Sequence, residues 1–185
     1  MINNYAVGKS LYLRSPTIDD VGGRWYQWFS DREITQYLGD RYWPNTIEMQ
    51  RDFFESNKTQ REKLILSICH KENDEHIGVC SLASINWVHR FAELSLIIGE
   101  KKYRNGLFAI ETVSLLLNIA FNRLNLNNIK ASYNTANPHT PVLLKIFGFS
   151  EVGRFKKIDF FEGNYYDSIF LQLSREAWSE RNKVN

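Results

Sequence analysis

The stretch "EKKYRNGLFAIETV", residues 100–113, begins with charged residues, passes a single glycine and runs into an apolar helical pattern. Between Ile110 and Leu124 apolar residues recur at three- and four-residue steps, which predicts a long helix with one apolar face. The first N–H groups of a helix have no partner within it, and the macrodipole adds partial positive charge there. A turn at residues 104–109 therefore suits an anion such as a pyrophosphate. Gly106 lets the backbone come close or take a positive φ, and Arg104 adds a cation. Many helices that begin with one glycine bind nothing, so the motif needs support from the rest of the chain.

Composition limits the classes of protein to which the chain can belong. Its 185 residues make one domain, 1–185, with 43% hydrophobic and 24% charged residues and a net charge of +2. Such a balance argues against a nucleic-acid-binding face. We expect no membrane segment and no signal peptide, and so a cytoplasmic protein. Cys69 and Cys80 lie in strand-like runs without metal-ligand spacing, which predicts reduced core thiols and no metal site.

Strands and helices alternate along the chain in an order that predicts a mixed α+β sheet. Two helices begin at the capping residues Thr17 and Thr46, and a later one begins at Thr140 and stops at Gly148. The chain closes on a hairpin whose turn lies near Gly163. The predicted strands are "SLYLRS" (10–15), "KLILSICH" (63–70), "HIGVCSLASI" (76–85), "AELSLIIG" (92–99), "NIKASY" (128–133) and the two arms of the hairpin at 153–173.

The order of these elements, the turn at 104–109 and the later "NPHTPVLLKIFGF" (137–149) resemble the GNAT superfamily of acetyl-CoA-dependent N-acetyltransferases. The resemblance runs from Ser10 to Trp178. That family carries a Q/R-x-x-G-x-G/A turn, which Arg104 matches at its first position and Ala109 at its last. Leu107 stands at the middle glycine position, with the glycine displaced by one. The family's Asn-x-x-Ser/Thr…Gly-Phe pattern matches at Asn137, Thr140, Gly148 and Phe149. The chain is also similar to the ribosomal-protein, polyamine and amino-sugar branches.

The resemblance implies a mostly antiparallel central sheet of about seven strands, splayed between the fourth and fifth and flanked by about four helices. Pantetheine of acetyl-CoA would lie along the fourth strand, its diphosphate would meet the turn, and the acceptor amine would enter from the opposite side. The implied cofactor residues are Leu96, Ile97, Ile98, Arg104, Asn105, Gly106, Leu107, Phe108, Ala109, Asn137 and Thr140.

Direct attack needs a neutral amine, a polarised thioester carbonyl and a proton for the departing thiolate. Glu93, at the start of the fourth strand, is the candidate base or the carboxylate that holds the ammonium; otherwise it is a solvated strand-end charge. Asn137 is a candidate for contacting coenzyme A or an active-site water, or else it forms a turn before proline. Thr140 is expected to cap its helix and, if it faces the thiol, to contact coenzyme A as well.

A proton donor for the thiolate is less clear from the sequence. Leu144 stands where many family members carry the tyrosine that donates it, and leucine has no proton to give. Tyr133 is the nearest phenol in sequence and a candidate donor. His89 is a candidate general base, because the ordinary pKa of histidine lies near neutrality. Otherwise the thiolate leaves unassisted.

Acceptor recognition is expected in the loop "WFSDREITQYLGDRYWP" (28–44), which offers aromatic faces and charges of both signs. The alternative is that some of its aromatics close the core. The candidate acceptor residues are Trp28, Asp31, Glu33, Tyr37, Arg41 and Trp43.

The sequence thus predicts acetyl transfer to a primary amine of a small molecule, with a (nucleotide-linked) amino sugar preferred. A protein N-terminus of the ribosomal-protein type and a polyamine are the other acceptors. A protein of a different class, a catalytically silent coenzyme A-binding module, is the alternative to an enzyme. It is favoured by Leu107 and Leu144, the two positions at which the chain departs from the family's motifs. By analogy with relatives, the edge of the C-terminal hairpin is a place for homodimer pairing.

Overall fold

One sheet of eight strands organises the part of the chain that the structure, a computed structural model, describes: residues 4–183 without the side chains of residues 40 and 41. The spatial order is β1-β2-β3-β4-β5-β6-β8-β7. Every neighbouring pair is antiparallel except β5 and β6, which are parallel. The strands are Asn4–Val7 (β1), Leu11–Arg14 (β2), Leu64–His70 (β3), His76–Asn86 (β4), Phe91–Ile98 (β5), Asn128–Asn134 (β6), Ser150–Phe161 (β7) and Asn164–Ser174 (β8).

Helices cover both faces of this sheet. They are Ile18–Asp20 (α1), Tyr26–Ser30 (α2), Arg32–Thr35 (α3), Ile47–Asn57 (α4), Leu107–Asn118 (α5), Thr140–Ile146 (α6) and Arg175–Lys183 (α7). π-helical turns at Val21–Trp25 and Ile119–Arg123 follow α1 and α5, and 3₁₀ turns lie at Gly39–Tyr42 and Lys101–Tyr103. None of the described helices combines the length and apolarity needed to traverse a bilayer.

The parallel pairing of β5 with β6 is short, and the place where it ends determines where the site lies. β5 and β6 pair only where residues 91–93 face 128–130. Beyond Glu93 and Lys130 the two strands have no register with each other, so a gap opens between the rest of β5 and the rest of β6. The predicted α+β sheet and its splay between the fourth and fifth predicted strands are confirmed.

Three elements differ from the sequence expectation. β1 makes the strand count eight; its four half-exposed residues carry no clear alternation and pair with β2 through an irregular register. The predicted helix after Thr17 is broken, because Gly23 takes non-helical φ −85° and ψ −132°. α7 was not predicted because its residues are almost all polar; its Trp178 packs on Phe121 with ring centroids 5.1 Å apart.

The core is divided by the sheet. On one face the apolar stripe of α5, including Val113, Leu116 and Leu117, packs fully buried against β2–β6 and β8. A smaller cluster on the other face joins Val21, Trp25, Trp28 and Val79 under the early helices. Cys69 and Cys80 are both buried and free, which confirms the prediction of reduced core thiols.

Candidate active site

The gap between β5 and β6 forms a cleft of about 420 Å³. β5 and β6 supply two of its walls, and the first turns of α5 and α6 close it. Its lining residues include Leu94, Ser95, Leu96, Gly106, Ala109, Ile110, Ser132, Tyr133, Asn137, His139, Thr140 and Leu144. The predicted cofactor turn is therefore brought together with Tyr133 and the Asn137 motif, although the turn lies far from them in the chain.

The backbone of β5 presents free hydrogen-bonding groups to this cleft. Backbone groups alternate in direction along a strand. The Gly99 N–H donates to the Ile77 carbonyl on β4, so odd-numbered residues of β5 turn their groups towards β4. Leu94 and Leu96 then point theirs into the gap, where β6 offers no partner. An extended pantetheine chain would find an open strand edge there.

The same alternation turns the backbone of one predicted pantetheine contact, Ile97, away from the cleft, and a hydrogen bond occupies the carbonyl of another, Ile98. The backbone of Ile97 faces Val79 on β4, and its side chain lines a cavity on the opposite face of the sheet. The Ile98 carbonyl accepts a hydrogen bond from Arg104 Nε at 3.0 Å. Leu94 and Leu96 thus present both of their backbone groups to the gap, and Ile98 presents its N–H there.

The turn before α5 has the conformation that an anion site needs. Gly106 has φ +85°, the left-handed region that favours glycine, and a Cβ built on it would meet nothing within 4 Å. The Leu107 N–H donates to Asn105 Oδ1 at 3.1 Å, whereas its side chain is 68% exposed. The N–H groups of Gly106, Phe108 and Ala109 have no partner among the described residues. Those three amides lie at the positive end of a 12-residue helix, and Gly106 and Ala109 line the cleft.

The guanidinium of Arg104 is held by protein groups, whereas the sequence analysis treats it only as a positive charge beside the turn. Its guanidinium donates to the carbonyls of Ile98 and Gly99, at 3.0 and 2.8 Å, and to Glu33 Oε1 at 3.0 Å. Arg104 therefore ties the turn to the end of β5 and brings positive charge to the site already partly neutralised by Glu33.

Asn137 caps α6. Its Oδ1 accepts from the N–H groups of His139 and Thr140 at 3.0 and 3.2 Å, and its Nδ2 donates to Thr140 Oγ1 at 2.9 Å. Thr140 is the first residue of α6 and His139 holds the N-cap position, so Thr140 is not the cap that the sequence predicts. The Asn137 side chain accepts from the first N–H groups instead. Since a carboxamide has two donor hydrogens, one N–H of Asn137 remains for a ligand in the cleft.

Glu93 is the last residue of β5 that pairs with β6, at the point where the two strands diverge. It is half-buried, and its Oε1 accepts from Ser132 Oγ at 3.4 Å. Ser132 lines the cleft, so the carboxylate reaches the cleft through a hydroxyl. Ser132 was not singled out from the sequence, because its alignment with Glu93 depends on the strand register.

Tyr133 lines the cleft beside Leu144, which is 2% exposed and part of the core. Its hydroxyl has no hydrogen-bond partner among the described residues. The leucine side chain only fills space at this point, whereas the Tyr133 phenol brings a proton donor to the cleft lining. His89 is exposed in the turn before β5, where its N–H donates to Asn86 Oδ1 at 2.7 Å, and it does not line the cleft.

Two further cavities open on the other side of the splay. One, of about 380 Å³, lies beneath α2 and α4 and is lined by Trp43, which is 76% exposed. The other, of about 220 Å³, lies between residues 36–42, β6 and the β7–β8 hairpin and is lined by Tyr37. Leu38 lines the cleft and both cavities. Of the predicted acceptor residues, Tyr37 and Trp43 thus reach a cavity, and the side chain of Arg41 lies outside the described residues.

The remaining predicted acceptor residues have structural partners instead. Trp28 is 2% exposed and donates its indole N–H to Glu100 at 3.0 Å. Asp31 caps α3 by accepting from the Glu33 N–H at 2.8 Å. Glu33 pairs with Arg104 and, at 3.4 Å, with Lys101. None of these three side chains lines the cleft or the two cavities.

Cys80 lines the 380 Å³ cavity, but burial raises the pKa of its thiol. A protonated thiol is a poor nucleophile, so this cysteine offers no covalent route to an acyl-enzyme.

Comparison with known proteins agrees with the geometry. Residues 10–150 match the family model described as acetyltransferase (GNAT) domain. The chain is 29% identical over 175 residues to the uncharacterized N-acetyltransferase p20 of Bacillus licheniformis, covering 91% of this chain and 95% of that protein. It is 34% identical over 107 residues to the spermidine N(1)-acetyltransferase of Vibrio cholerae, covering 58% of this chain and 61% of that one. The crystal structure of spermidine N-acetyltransferase from Vibrio cholerae in complex with CoA and spermine superposes with TM-score 0.85 at 22% identity, over 93% of this chain and 99% of that one.

Proposed function

The chain belongs to the GNAT acetyltransferase family, and from that premise we propose that it acetylates a primary amine of a small molecule by direct attack in the cleft between β5 and β6. Membership makes it an acetyl-CoA-dependent N-acetyltransferase. One observation carries the proposal of where the reaction occurs. The free backbone edge at Leu94 and Leu96 leads to the three open amides at the entrance of α5.

The order of these groups along the cleft matches the order of pantetheine and diphosphate in acetyl-CoA. Leu94 and Leu96 would hydrogen-bond the amides of pantetheine as an added strand, and the amides of Gly106, Phe108 and Ala109 would hold the diphosphate. This placement puts the thioester near the point of divergence. An N–H of β5 in the gap would polarise its carbonyl oxygen.

The chain's own side chains then move two protons. Glu93 takes a proton from the incoming ammonium, through Ser132 or directly, and frees the lone pair of the amine. The amine nitrogen bonds to the carbonyl carbon, the carbon–sulfur bond breaks, and the Tyr133 hydroxyl gives its proton to the departing thiolate. The Tyr133 phenolate then takes the second proton from the nitrogen, which leaves a neutral amide. Tyr133 in this way replaces the donor that Leu144 does not supply.

The acceptor is narrowed by the relatives. The Vibrio cholerae relative, which is similar to this chain in sequence and in structure, is named for spermidine, and this favours a polyamine over the nucleotide-linked amino sugar and the protein N-terminus. The amino sugar and the N-terminal peptide stay in the test panel as the competing acceptors.

The test is release of free coenzyme A, measured with a thiol reagent, from acetyl-CoA and a panel of amines. We expect amine-dependent release. We expect Glu93→Gln and Tyr133→Phe each to lower kcat on the order of a hundredfold with little change in acetyl-CoA affinity. His89→Gln, outside the cleft, is the matched control and should retain activity. Tight acetyl-CoA binding without turnover across the whole panel would instead support the silent binding module.

We also propose that the outer edge of β7 is where a homodimer pairs. β7 is an edge strand, and Val152, Phe155 and Ile158 expose more than half of their surface. Light scattering of the intact chain measures the assembly directly, and a strictly monomeric mass would refute the pairing.

A further inference from the structure

The 220 Å³ cavity holds a carboxylate that has no partner among the described side chains. Asp159 of β7 lines it, half-buried, and has no hydrogen bond or ion pair with any described residue. The other acids of the same hairpin are engaged: Glu151 pairs with Arg154, Asp167 accepts from the Lys157 N–H, and Glu162 pairs with Arg32. Unlike these neighbouring acids, Asp159 therefore keeps its carboxylate oxygens without a hydrogen-bond donor among the described residues.

The direction of Asp159 follows from the strand. Residues 159–161 keep a regular register with β8, so Asp159 and Phe161 share one face of β7. The ring of Phe161 lies 5.4 Å from that of Tyr37, which is another lining residue of the cavity. The carboxylate thus lies on the same face of β7 as a ring that closes the cavity.

A half-buried carboxylate beside aromatic faces attracts a cation and repels an anion. The charge supplies the attraction, and ring faces stabilise ammonium groups further by cation–π interaction. The 380 Å³ cavity has the opposite character: among its described lining residues none is acidic, and Lys63 is the cation there.

The cation cavity adjoins the reaction site. Tyr37, Ser132 and Tyr133 line both this cavity and the cofactor cleft. Ser132 also donates to Glu93, the proposed base. The cavity and the cleft are therefore contiguous, and an acceptor that occupies both places one group beside Asp159 and another in the cleft.

We infer that Asp159 and the rings around it bind a second ammonium group of the acceptor, so that the enzyme selects diamines over monoamines. This inference rests on the proposed function. Asp159 is a specificity-determining residue and takes no part in the proton transfers.

The experiment compares 1,4-diaminobutane with butylamine, which has the same carbon chain and one amine fewer. Coenzyme A release gives kcat and KM for each, and calorimetry on the coenzyme A complex gives diamine binding. We expect Asp159→Asn, which keeps the shape, to raise the diamine KM on the order of tenfold while leaving kcat and the butylamine kinetics unchanged. Glu151→Gln, an exposed acid on the same strand, is the charge-matched control and should behave like the natural chain.

The outcomes separate the two proposals. Turnover of both amines with the same diamine preference in Asp159→Asn would overturn the second subsite and leave the enzyme assignment intact. Diamine binding that depends on Asp159, without turnover of any amine, would overturn the proposed reaction and support the subsite. Thermal melts of both variants exclude a folding defect as the cause.

Discussion

At the scale of single residues, the site depends on backbone conformation as much as on side chains. Gly106 has no packing neighbour that a methyl group would strike, so its requirement for glycine comes from φ +85° alone. That conformation turns the amides of α5 outward. Leu107 then occupies a position where its exposed side chain is tolerated, which explains how the turn keeps its shape with the middle glycine displaced to residue 106.

Replacing Gly106 tests this directly. We expect Gly106→Ala to cost about 1–2 kcal/mol of unfolding free energy, because an L-residue is strained at this φ. We also expect at least a tenfold loss of acetyl-CoA affinity by calorimetry. Gly163→Ala is a matched control, with φ +82° and equally open space in the hairpin turn. It should cost similar stability and no affinity; equal affinity losses in both variants would argue against the turn as the diphosphate site.

At the scale of elements, a buried ionic cluster fastens the broken first helix to the sheet. Asp20 of α1 receives two hydrogen bonds from Arg14 of β2, at 2.6 and 2.7 Å, and one from Ser67 of β3 at 2.9 Å. His76 of β4 approaches it at 3.2 Å. Burial opposes the ionisation of Asp20, yet the hydrogen bonds from Arg14 and His76 hold its pKa well below the ordinary value. α1 is thus fixed where it leads into the helices that cover the acceptor side.

This lowered pKa sets a pH dependence. A carboxylate with a lower pKa in the folded state contributes its full stability above its unfolded pKa of about 4 and loses it as the pH falls further. We expect Asp20→Asn to cost about 3 kcal/mol in urea unfolding at pH 7, because it leaves the buried Arg14 without its counter-charge. The difference from the natural chain should shrink progressively below pH 4. Asp19→Asn, one residue earlier and exposed, should change little at any pH; a constant difference for Asp20→Asn would contradict the linkage.

At the scale of the whole molecule, the divergence of β5 from β6 leaves a gap in the sheet that bound acetyl-CoA would fill, as an added strand. β5 and β6 share three residue pairs, and the gap beyond them is spanned by no described backbone. Glu111 Oε1 accepts from the Ser10 N–H at 2.9 Å, which links α5 to β2 across the α5 face of the sheet. The helix that bears the cofactor turn is thereby held independently of the gap.

Cofactor binding should therefore stabilise the entire fold. At a free concentration 100 times its Kd, acetyl-CoA should add about 2.7 kcal/mol to unfolding, provided that the unfolded chain does not bind it. For a chain of this size we expect a rise in Tm of several degrees in a thermal melt. Pantetheine at the same concentration, which lacks the diphosphate, should produce a much smaller rise; equal shifts would mean that the α5 amides contribute nothing.

Much of the fold follows from local pattern. The stripe of α5, the stop at Gly148 and the strand order were all predicted, because periodicity and capping residues act over a few neighbouring positions. β1, the break at Gly23 and the polar α7 were missed because their formation depends on what they pack against. The hydrogen bonds of Arg104 and Trp28 could not be read from local pattern, since their partners Glu33 and Glu100 come from distant segments.

The sequence by itself determined the turn before the long helix and the order of strands around it, since each is written in consecutive residues. Only the tertiary structure decided that Asp159 lies in a cavity with Tyr37 and Tyr133, that Ser132 joins Glu93, and that Ile97 turns away from the cleft. The physical reason is register: strand pairing brings together side chains from distant parts of the chain, and a shift of one residue would send every one of them to the other face.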